Sequence, residues 1–241
     1  MWKVFSFLLL AGCAGTWVPG PGFEHLVVPA DGYEIATYQR MTNKNTPIHI
    51  YVEGDGRAFN TYGEPTDNPT PHGKMMRNLA MRDTAENVVY MARPCQFIMS
   101  DVCSVSDWTD GRFSAKLVDA MAGAVKKVAA GRPVILVGYS GGAMMTGLII
   151  ARNPDIRVKK WVTIAGVLNH NKWTQHFGDS PLTKSLNLEE LPDVPAIHYV
   201  GARDRVVPPD LARAIIGGSG NIVVIPGAAH DDFEYLDIDF N

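Results

Sequence analysis

The chain has 241 residues, which is enough for one sizeable domain and too short for two average domains with separate cores. Hydrophobic residues make up 46% and charged residues 20%, a globular mixture that excludes a disordered tail protein and a collagen-like fibre. The formal net charge of −3 provides no basic excess, so nucleic acid is not expected as a partner.

The amino-terminal residues predict export and lipid attachment. Lys3 supplies a positive charge, and the apolar run over residues 4–10 is too short to span a bilayer, which needs roughly 20 residues. The sequence LAGC at residues 10–13 resembles a bacterial lipoprotein signal, in which cleavage precedes the cysteine and its sulfur is acylated. An ordinary cleaved signal followed by a chance cysteine is the alternative.

This resemblance divides the chain into three parts. It implies a lipoprotein signal peptide over residues 1–12, a lipidated Cys13 with a tether over residues 13–22, and a single domain over residues 23–241. The tether is rich in glycine and proline, as linkers are. The protein would then sit on the bacterial cell envelope, anchored to a membrane by its lipid and facing the periplasm or the exterior.

The odd cysteine count of 3 fits this division. If Cys13 carries lipid, Cys95 and Cys103 remain, and an oxidising compartment favours a disulfide between them. A closed loop of about nine residues stabilises the fold by roughly 2.5 kcal/mol in the chain-entropy account. Two reduced, buried thiols are the alternative. No second pair of ligands accompanies these cysteines, so no metal site is predicted.

Hydrophobic patterns in the remaining sequence predict strands that alternate with helices. An Asp31-Gly32 turn joins the first two strands as a hairpin, whereas residues 168–193 lack a clear period. Strands are predicted at residues 23–28, 33–40, 47–52, 87–91, 133–138, 161–166, 196–200 and 221–225, and helices around residues 75–80, 113–129, 142–151 and 208–216, with a short helix closing the chain.

This order of elements predicts an α/β fold. Parallel strands need crossover connections, and helices in those connections cover both faces of the sheet. The continuous apolar run at residues 133–138 is typical of a strand buried on both faces. We therefore expect a mostly parallel sheet with helices on both faces and an antiparallel hairpin at its amino-terminal end.

A candidate nucleophile lies between the buried strand and the buried helix that follows it. Residues 138–142 read GYSGG and match the G-x-S-x-G pattern, in which a tight strand-to-helix turn exposes the serine hydroxyl. Side chains at the two outer positions would clash in such a turn, which accounts for the glycines. The short pattern is weak alone, but the strand before it and the helix after it make Ser140 a strong candidate.

A serine nucleophile needs a base and an acid, which follow it in the chain order Ser, acid, His. Of the 7 histidines, only His230 lies beyond the penultimate predicted strand. Asp204 follows the preceding strand, whereas Asp193 precedes that strand and Asp210 begins the next helix, so both are weaker candidates. The structural alternatives are a turn or helix-cap aspartate and a solvated loop histidine.

Hydrolysis through a serine also needs two backbone amides for the developing oxyanion. Gly141, directly after the nucleophile, supplies one. The second is expected in the loop after the third strand, where Asp55 holds the donor position and Gly54 and Gly56 are alternatives. This assignment of Asp55 is made by analogy with the usual His-Gly-X pattern, and Glu53 stands where that pattern has histidine. A plain glycine-rich turn is the structural alternative.

From about residue 23 to its end, the chain resembles the α/β-hydrolase superfamily, and it is similar to bacterial, often lipid-anchored, α/β hydrolases. This resemblance implies a serine hydrolase fold with a triad of Ser140, Asp204 and His230, but it implies no substrate. The segments that carry it are residues 53–56, 92–96, 108–109, 112–114 and 204–208.

Other side chains are assigned lesser roles. Three residues after the nucleophile helix are candidates either for lining the site or for loop packing: His170, Trp173 and His176. Structural roles are expected for His49 and His198 in strands, for Arg93 in an ion pair, and for the methionines at 75, 76, 144 and 145 in the core.

The predicted function is hydrolysis of a carboxylic ester through an acyl-enzyme, with no cofactor and no metal. The short segment at residues 168–193 provides only a small lid, which favours small or medium ester substrates. A thioesterase or a peptidase would use the same triad, and a non-catalytic envelope lipoprotein on a hydrolase fold is an alternative of another class. The sequence makes no prediction of oligomeric state.

Overall fold

A computed structural model describes residues 18–218 and 221–241, so the signal-peptide and Cys13 predictions lie outside the described residues. No helix in the described part is both long enough and apolar enough to cross a membrane. The strands are β1 (Glu24–Ala30), β2 (Tyr33–Met41), β3 (Ile48–Val52), β4 (Asn87–Met91), β5 (Val134–Tyr139), β6 (Val158–Ile164), β7 (Ala196–Gly201) and β8 (Ile222–Ile225), and the helices are α1 (Met75–Arg82), α2 (Ala115–Ala129), α3 (Gly141–Arg152), α4 (His170–Phe177) and α5 (Pro209–Ile216).

The eight strands form one sheet in the order β1-β2-β4-β3-β5-β6-β7-β8. β1 and β2 pair antiparallel, β2 also runs antiparallel to β4, and the other neighbours are parallel. In the hairpin turn, Asp31 and Gly32 both have positive φ, at 48° and 85°, as a two-residue turn matched to the strand twist requires. The predicted α/β class and its amino-terminal hairpin are confirmed.

Helices cover both faces of the sheet because side chains alternate along its central strands. Ile48 and Ile50 of β3 belong to one buried cluster, which they share with apolar side chains of α2 and α3. Tyr51, between Ile50 and Val52 in the chain, belongs to the second cluster, which includes α1. The central strands are therefore buried on both sides, as the apolar run over β5 predicts.

The predicted closing helix is wrong. Residues after β8 form turns and extended backbone without a helix. Phe233 is fully buried, and Leu236, Ile238 and Phe240 are half-buried between exposed neighbours. Because these last three recur at every second position, the segment lays alternate side chains against the α1 face of the sheet, as an extended chain does.

The sequence patterns also missed a helix, α4. Its amino terminus is capped by Asn169, whose side chain accepts a hydrogen bond from the Lys172 amide, and it ends at Gly178, which has a φ of 71°. The buried residues of α4 are His170 and Thr174, four positions apart. A helix that buries polar side chains has no apolar period, so only its two caps marked it in the sequence.

The chain enters the sheet at the edge where the parallel strands begin. Gly22, just before β1, lies against Arg40 of β2, and Arg40 pairs with Val88, the second residue of β4. The parallel strands run from that edge toward the opposite one, at which β5 ends. The first described residues and the G-x-S-x-G turn thus lie at opposite edges of the sheet.

Cys95 and Cys103 form the predicted disulfide, with their Cα atoms 5.9 Å apart. It closes the loop that follows β4, a stretch with no helix or strand before the short 3-10 helix Val105–Trp108. Ser104 and Asp107 form a capping box at the start of that helix. The disulfide therefore cross-links an otherwise irregular segment.

His198 makes the stability of the domain depend on pH. It is 2% exposed in β7, with its Nδ1 2.8 Å from the Thr163 hydroxyl oxygen, and burial lowers its pKa to about 4. Unfolded histidine titrates near 6.5, so between these values the unfolded chain binds more protons and stability rises with pH. Lowering the pH from 7 to 4 should cost about 3 kcal/mol in free energy of unfolding through this residue.

Urea unfolding of the wild-type protein and of His198→Gln across this pH range measures the effect. Glutamine stays neutral, so the stability difference between the two proteins should change by this amount as the pH falls. A difference that is constant from pH 7 to pH 4 would contradict the assignment to His198.

Candidate active site

Three loops at one edge of the sheet bring the predicted triad together. Ser140 directly follows β5, Asp204 lies three positions beyond β7, and His230 lies five positions beyond β8. β5, β6, β7 and β8 are successive parallel neighbours, so their carboxyl ends share that edge. The topology thus collects residues that are far apart in the chain.

The three side chains form a continuous hydrogen-bonded series. His230 Nε2 lies 3.0 Å from Ser140 Oγ, and His230 Nδ1 lies 2.8 Å from Asp204 Oδ2. The other Asp204 oxygen accepts hydrogen bonds from the amides of Val206 and Val207 at 2.8 and 2.9 Å. Because an ionised carboxylate only accepts, Nδ1 is the donor to Asp204, which leaves Nε2 to accept from the serine hydroxyl.

The backbone at Ser140 adopts the strained conformation of a sharp strand-to-helix turn. Its φ of 51° and ψ of −120° are rare for a residue with a side chain. The turn is held from outside, because the Ser140 amide donates to the Ile164 carbonyl at 2.9 Å and its carbonyl accepts from the Val167 amide at 3.1 Å. The surrounding structure therefore fixes where the hydroxyl points.

The outer glycines of the turn are required by close backbone contacts. A Cβ on Gly138 would lie 2.5 Å from the Gly142 carbonyl oxygen, and a Cβ on Gly142 would lie 2.5 Å from the carbonyl oxygens of Val52 and Glu53. Both distances are shorter than contacts that real Cβ atoms make. The sequence argument for glycine at both outer positions is confirmed.

The segment over residues 53–56, here called the β3 loop, lies against this turn. The Gly54 amide donates to Glu53 Oε1 at 2.9 Å, which removes Gly54 from the candidate oxyanion donors. Within residues 18–218 and 221–241, the amides of Asp55, Gly56 and Gly141 donate to no protein acceptor. A Cβ on Gly141 would lie 2.0 Å from Asp55 Oδ1, so of the two residues in the β3 loop that are left as candidates, Asp55 is the one that contacts the serine turn.

Sequence reasoning missed the role of the Asp55 side chain. Its Oδ1 accepts a hydrogen bond from Arg93 Nη1, and its Oδ2 accepts one from Arg112 Nη1 at 2.6 Å. Burial alone would raise the pKa of Asp55, but the charges of Arg112 and Arg93 outweigh burial and lower it. The prediction that Arg93 forms an ion pair is confirmed. For Arg112 the sequence predicted no ion pair and placed the residue only within the family resemblance.

Glu53 is a second acid that sequence reasoning left without a role. It is 4% exposed, and its Oε2 accepts a hydrogen bond from the Tyr90 hydroxyl at 2.8 Å. Burial raises the pKa of Glu53, although the Gly54 amide and the Tyr90 hydroxyl partly offset this effect. Its carboxylate ties the start of the β3 loop to β4.

The Ser140 and His230 side chains line a cavity of about 430 Å³, a size typical of small-molecule sites. Apolar side chains form much of its wall. The polar and charged residues that also line it are Glu53, Asp55, Arg57, His72, Arg112, Tyr139, His170 and Asp231. Met75 and Met76, predicted as core, are buried in the core and also line this cavity. The apolar lining residues from the loops after the strands are Phe113, Val167, Leu182 and Val206, and α4 contributes Trp173.

Of the three residues that were candidates for lining the site, two line the cavity and one does not. His170 and Trp173 line the cavity, whereas His176 is exposed on the outer side of α4 and is absent from its wall. His170 Nε2 lies 3.0 Å from the Leu186 carbonyl oxygen, and burial lowers the pKa of His170. The Trp173 indole donates to the Val206 carbonyl at 2.7 Å, which ties α4 to the loop that carries Asp204.

No protein-family profile matches the sequence, and no curated protein sequence matches it. Many solved structures share its fold. An α/β serine hydrolase without lid from Xanthomonas campestris is 12% identical, with a TM-score of 0.58 over 90% of this chain and 89% of that chain. A serine hydrolase from Cycloclasticus zankles is 14% identical, with a TM-score of 0.60 over 88% and 93%.

A membrane phospholipase A, a bacterial virulence factor, is 16% identical, with a TM-score of 0.58 over 89% of this chain and 82% of that chain. At sequence identities this low, the similarity shows a shared backbone fold and does not show a shared activity. The strand order, the hairpin and these similarities together establish that the chain has the α/β-hydrolase fold.

Proposed function

We propose that the protein is a serine hydrolase that cleaves a carboxylic ester through an acyl-enzyme. The observation that carries the proposal is the hydrogen-bonded series Ser140–His230–Asp204 beside an apolar cavity. A serine hydroxyl alone is a poor nucleophile, and a positioned imidazole that accepts its proton is the feature that activates it. The strained turn at Ser140 supports the same role.

In the first half of the reaction, Ser140 Oγ attacks the ester carbonyl while His230 Nε2 takes its proton. Asp204 holds the imidazole in the orientation and tautomer that leave Nε2 free to accept, and it stabilises the imidazolium that forms. His230 then protonates the leaving alcohol. Water repeats the sequence on the acyl-enzyme and releases the acid, so no cofactor is required.

The tetrahedral intermediate carries an oxyanion, for which we propose the amides of Gly141 and Asp55 as donors. Both lack protein acceptors within the described ranges, and both are held next to the serine turn. Loss of one such donor costs about 3 kcal/mol in the transition state. The Asp55 carboxylate is ion-paired with Arg93 and Arg112, so we propose only the backbone amide of this residue as an oxyanion donor.

The cavity favours an ester with a small or medium acyl group. Its volume of about 430 Å³ accommodates a small molecule, and the apolar part of its wall suits a hydrocarbon chain. Thioesters and peptides remain alternatives, since the same triad cleaves them. Hydrolysis rates for nitrophenyl esters of increasing chain length would rank the acyl groups that fit.

Reaction with a fluorophosphonate probe tests the proposal. The activated Ser140 hydroxyl should be phosphonylated, whereas Ser140→Ala should stay unlabelled because it has no nucleophilic oxygen. In-gel fluorescence of the labelled protein provides the measurement, and a peptide map should place the adduct on residue 140.

Wild-type protein that does not label, or equal labelling of Ser140→Ala, would reject the enzyme and favour a non-catalytic envelope protein. Labelling without turnover of any nitrophenyl ester would instead point to a thioester or peptide substrate.

We also propose that a lipid on Cys13 anchors the enzyme to the cell envelope. The charge, the apolar run and the LAGC sequence at residues 10–13 support this part of the proposal. Mass spectrometry of the mature amino terminus should detect a diacylglyceryl-modified Cys13. An unmodified Cys13 would overturn the anchor and leave the catalytic proposal intact.

A further inference from the structure

The disulfide lies between the residues that hold the β3 loop. Cys95 stands in the chain between Arg93 and Gln96, and both of these contact the loop directly. Arg93 Nη1 donates to the Asp55 carboxylate, and Gln96 Nε2 donates to the Gly54 carbonyl at 2.8 Å. Residues on either side of Cys95 thus hold two consecutive residues of the loop.

These contacts are linked to one another. Gln96 Oε1 accepts a hydrogen bond from the Arg93 amide at 3.0 Å, so both side chains depend on the local conformation of residues 93–96. Arg93 Nη2 also donates to the Arg112 carbonyl, and Arg112 bonds the second Asp55 oxygen. Both arginines and Gln96 are buried. A change in the backbone at residues 93–96 would therefore disturb every bond that Arg93 or Gln96 makes here, and only the bond from Arg112 to Asp55 would be independent of it.

Regular secondary structure does not fix that backbone. Between the end of β4 and the 3-10 helix Val105–Trp108 there is neither helix nor strand. Cys95 itself is buried, and its bond to Cys103 ties the segment to the residue that precedes the capping box of that helix. The disulfide is the covalent restraint on the segment that carries Arg93 and Gln96.

We propose that the Cys95–Cys103 disulfide positions Arg93 and Gln96, and through them fixes the Asp55 amide against the Ser140 turn. Arg93 and Gln96 are then positioning residues that act through the β3 loop without touching the substrate, and Arg112, which also lines the cavity, holds the second Asp55 oxygen. The catalytic part of this inference rests on the proposed function, because it assigns the Asp55 amide to the oxyanion. The positioning part concerns the loop alone.

The physical reason is that an oxyanion donor works only if it is oriented before the reaction. Displacement of a catalytic group by about 1 Å can cost about 10²-fold in rate. The carboxylate of Asp55 is fixed from two sides by Arg93 and Arg112, which restrains the backbone of the same residue. Lysine at position 93 would keep the charge but not the two-pronged donor geometry.

Kinetics and hydrogen exchange test the proposal on the full-length protein. In Cys95→Ala/Cys103→Ala we expect kcat to fall about 10²-fold with KM changed less than about threefold, since the substrate cavity stays intact. Arg93→Lys should show the same split between kcat and KM. By mass spectrometry, the amides of Gly54 and Arg57 should exchange at least about tenfold faster in the double variant than in wild type.

Arg40→Met is the matched control. Arg40 also anchors a loop through its guanidinium, by donating to the Ala85 carbonyl at 2.8 Å and to that of Asp83, but at the other edge of the sheet. It should lower the unfolding temperature and leave kcat and β3-loop exchange unchanged. Unchanged exchange in β6 of each variant would show that the fold is intact. If the double variant does not fold, Gln96→Ala takes its place.

The outcomes separate the two levels of the proposal. Exchange in the β3 loop that stays at the wild-type rate in Cys95→Ala/Cys103→Ala, or in Gln96→Ala, overturns the positioning. Faster exchange with unchanged kcat overturns its catalytic consequence. A wild-type protein inert to esters and to the fluorophosphonate probe, combined with faster exchange in the variants, rejects the proposed function and supports the positioning of the loop.

Discussion

Replacing Ser140 with alanine should lower kcat for ester hydrolysis by about 10⁶-fold, an effect as large as loss of the His230 imidazole should have. In the proposed mechanism the variant lacks the atom that would form the acyl-enzyme, and neither His230 nor the proposed oxyanion donors could supply a substitute nucleophile of similar strength. Steady-state hydrolysis of a nitrophenyl ester measures the change. Residual activity should reflect only binding and oxyanion stabilisation.

Ser180→Ala is the matched control, because Ser180 is exposed in the loop after α4. It should hydrolyse the ester at the wild-type rate. A Ser140→Ala protein with nearly wild-type kcat would mean that another group performs the hydrolysis and that the geometry at Ser140 serves only the fold.

Replacing Asp204 with asparagine should lower kcat by about 10⁴-fold. Asp204 is 3% exposed, and both of its oxygens accept hydrogen bonds, one from His230 and one from two amides. An asparagine that presents its NH₂ group to His230 favours the imidazole tautomer that cannot accept the serine proton. The drop should appear in kcat for a nitrophenyl ester, with the fold preserved in circular dichroism.

Asp210→Asn provides the comparison, because its side chain is 97% exposed and lies 3.3 Å from Arg213 in α5. It is also one of the two acids that the sequence ranked below Asp204. Equal losses in the two variants would mean that the loss of negative charge, rather than the orientation of His230, controls the rate.

The sequence could bring the three candidate residues to one edge of the sheet because each lies in the loop that follows a strand with a clear apolar pattern. Ser140 follows β5 and His230 follows β8, and neither prediction needed knowledge of distant contacts. The chain order then limited the base to a single histidine. The α/β class followed from the same local patterns, since alternating strands and helices permit few other folds.

Features that depend on long-range pairing could not be predicted this way. Asp55 contacts Arg93 and Arg112 only when the loops that follow β3 and β4 pack together. No local sequence period indicates ion pairs between residues so far apart in the chain. α4 was missed because its buried side chains are polar. The closing helix was predicted wrongly because an apolar segment at the chain end packs in extended form instead.

The edge at which the chain enters the sheet has a consequence for substrate supply. Gly22 lies against Arg40, level with the second residue of β4 and so near the start of the parallel strands, whereas Ser140 lies at the opposite end of β5. With the proposed lipid at Cys13, the cavity would open toward the surrounding water, away from the supporting bilayer. Such an enzyme would draw on esters that diffuse past the envelope rather than on acyl chains embedded beneath it.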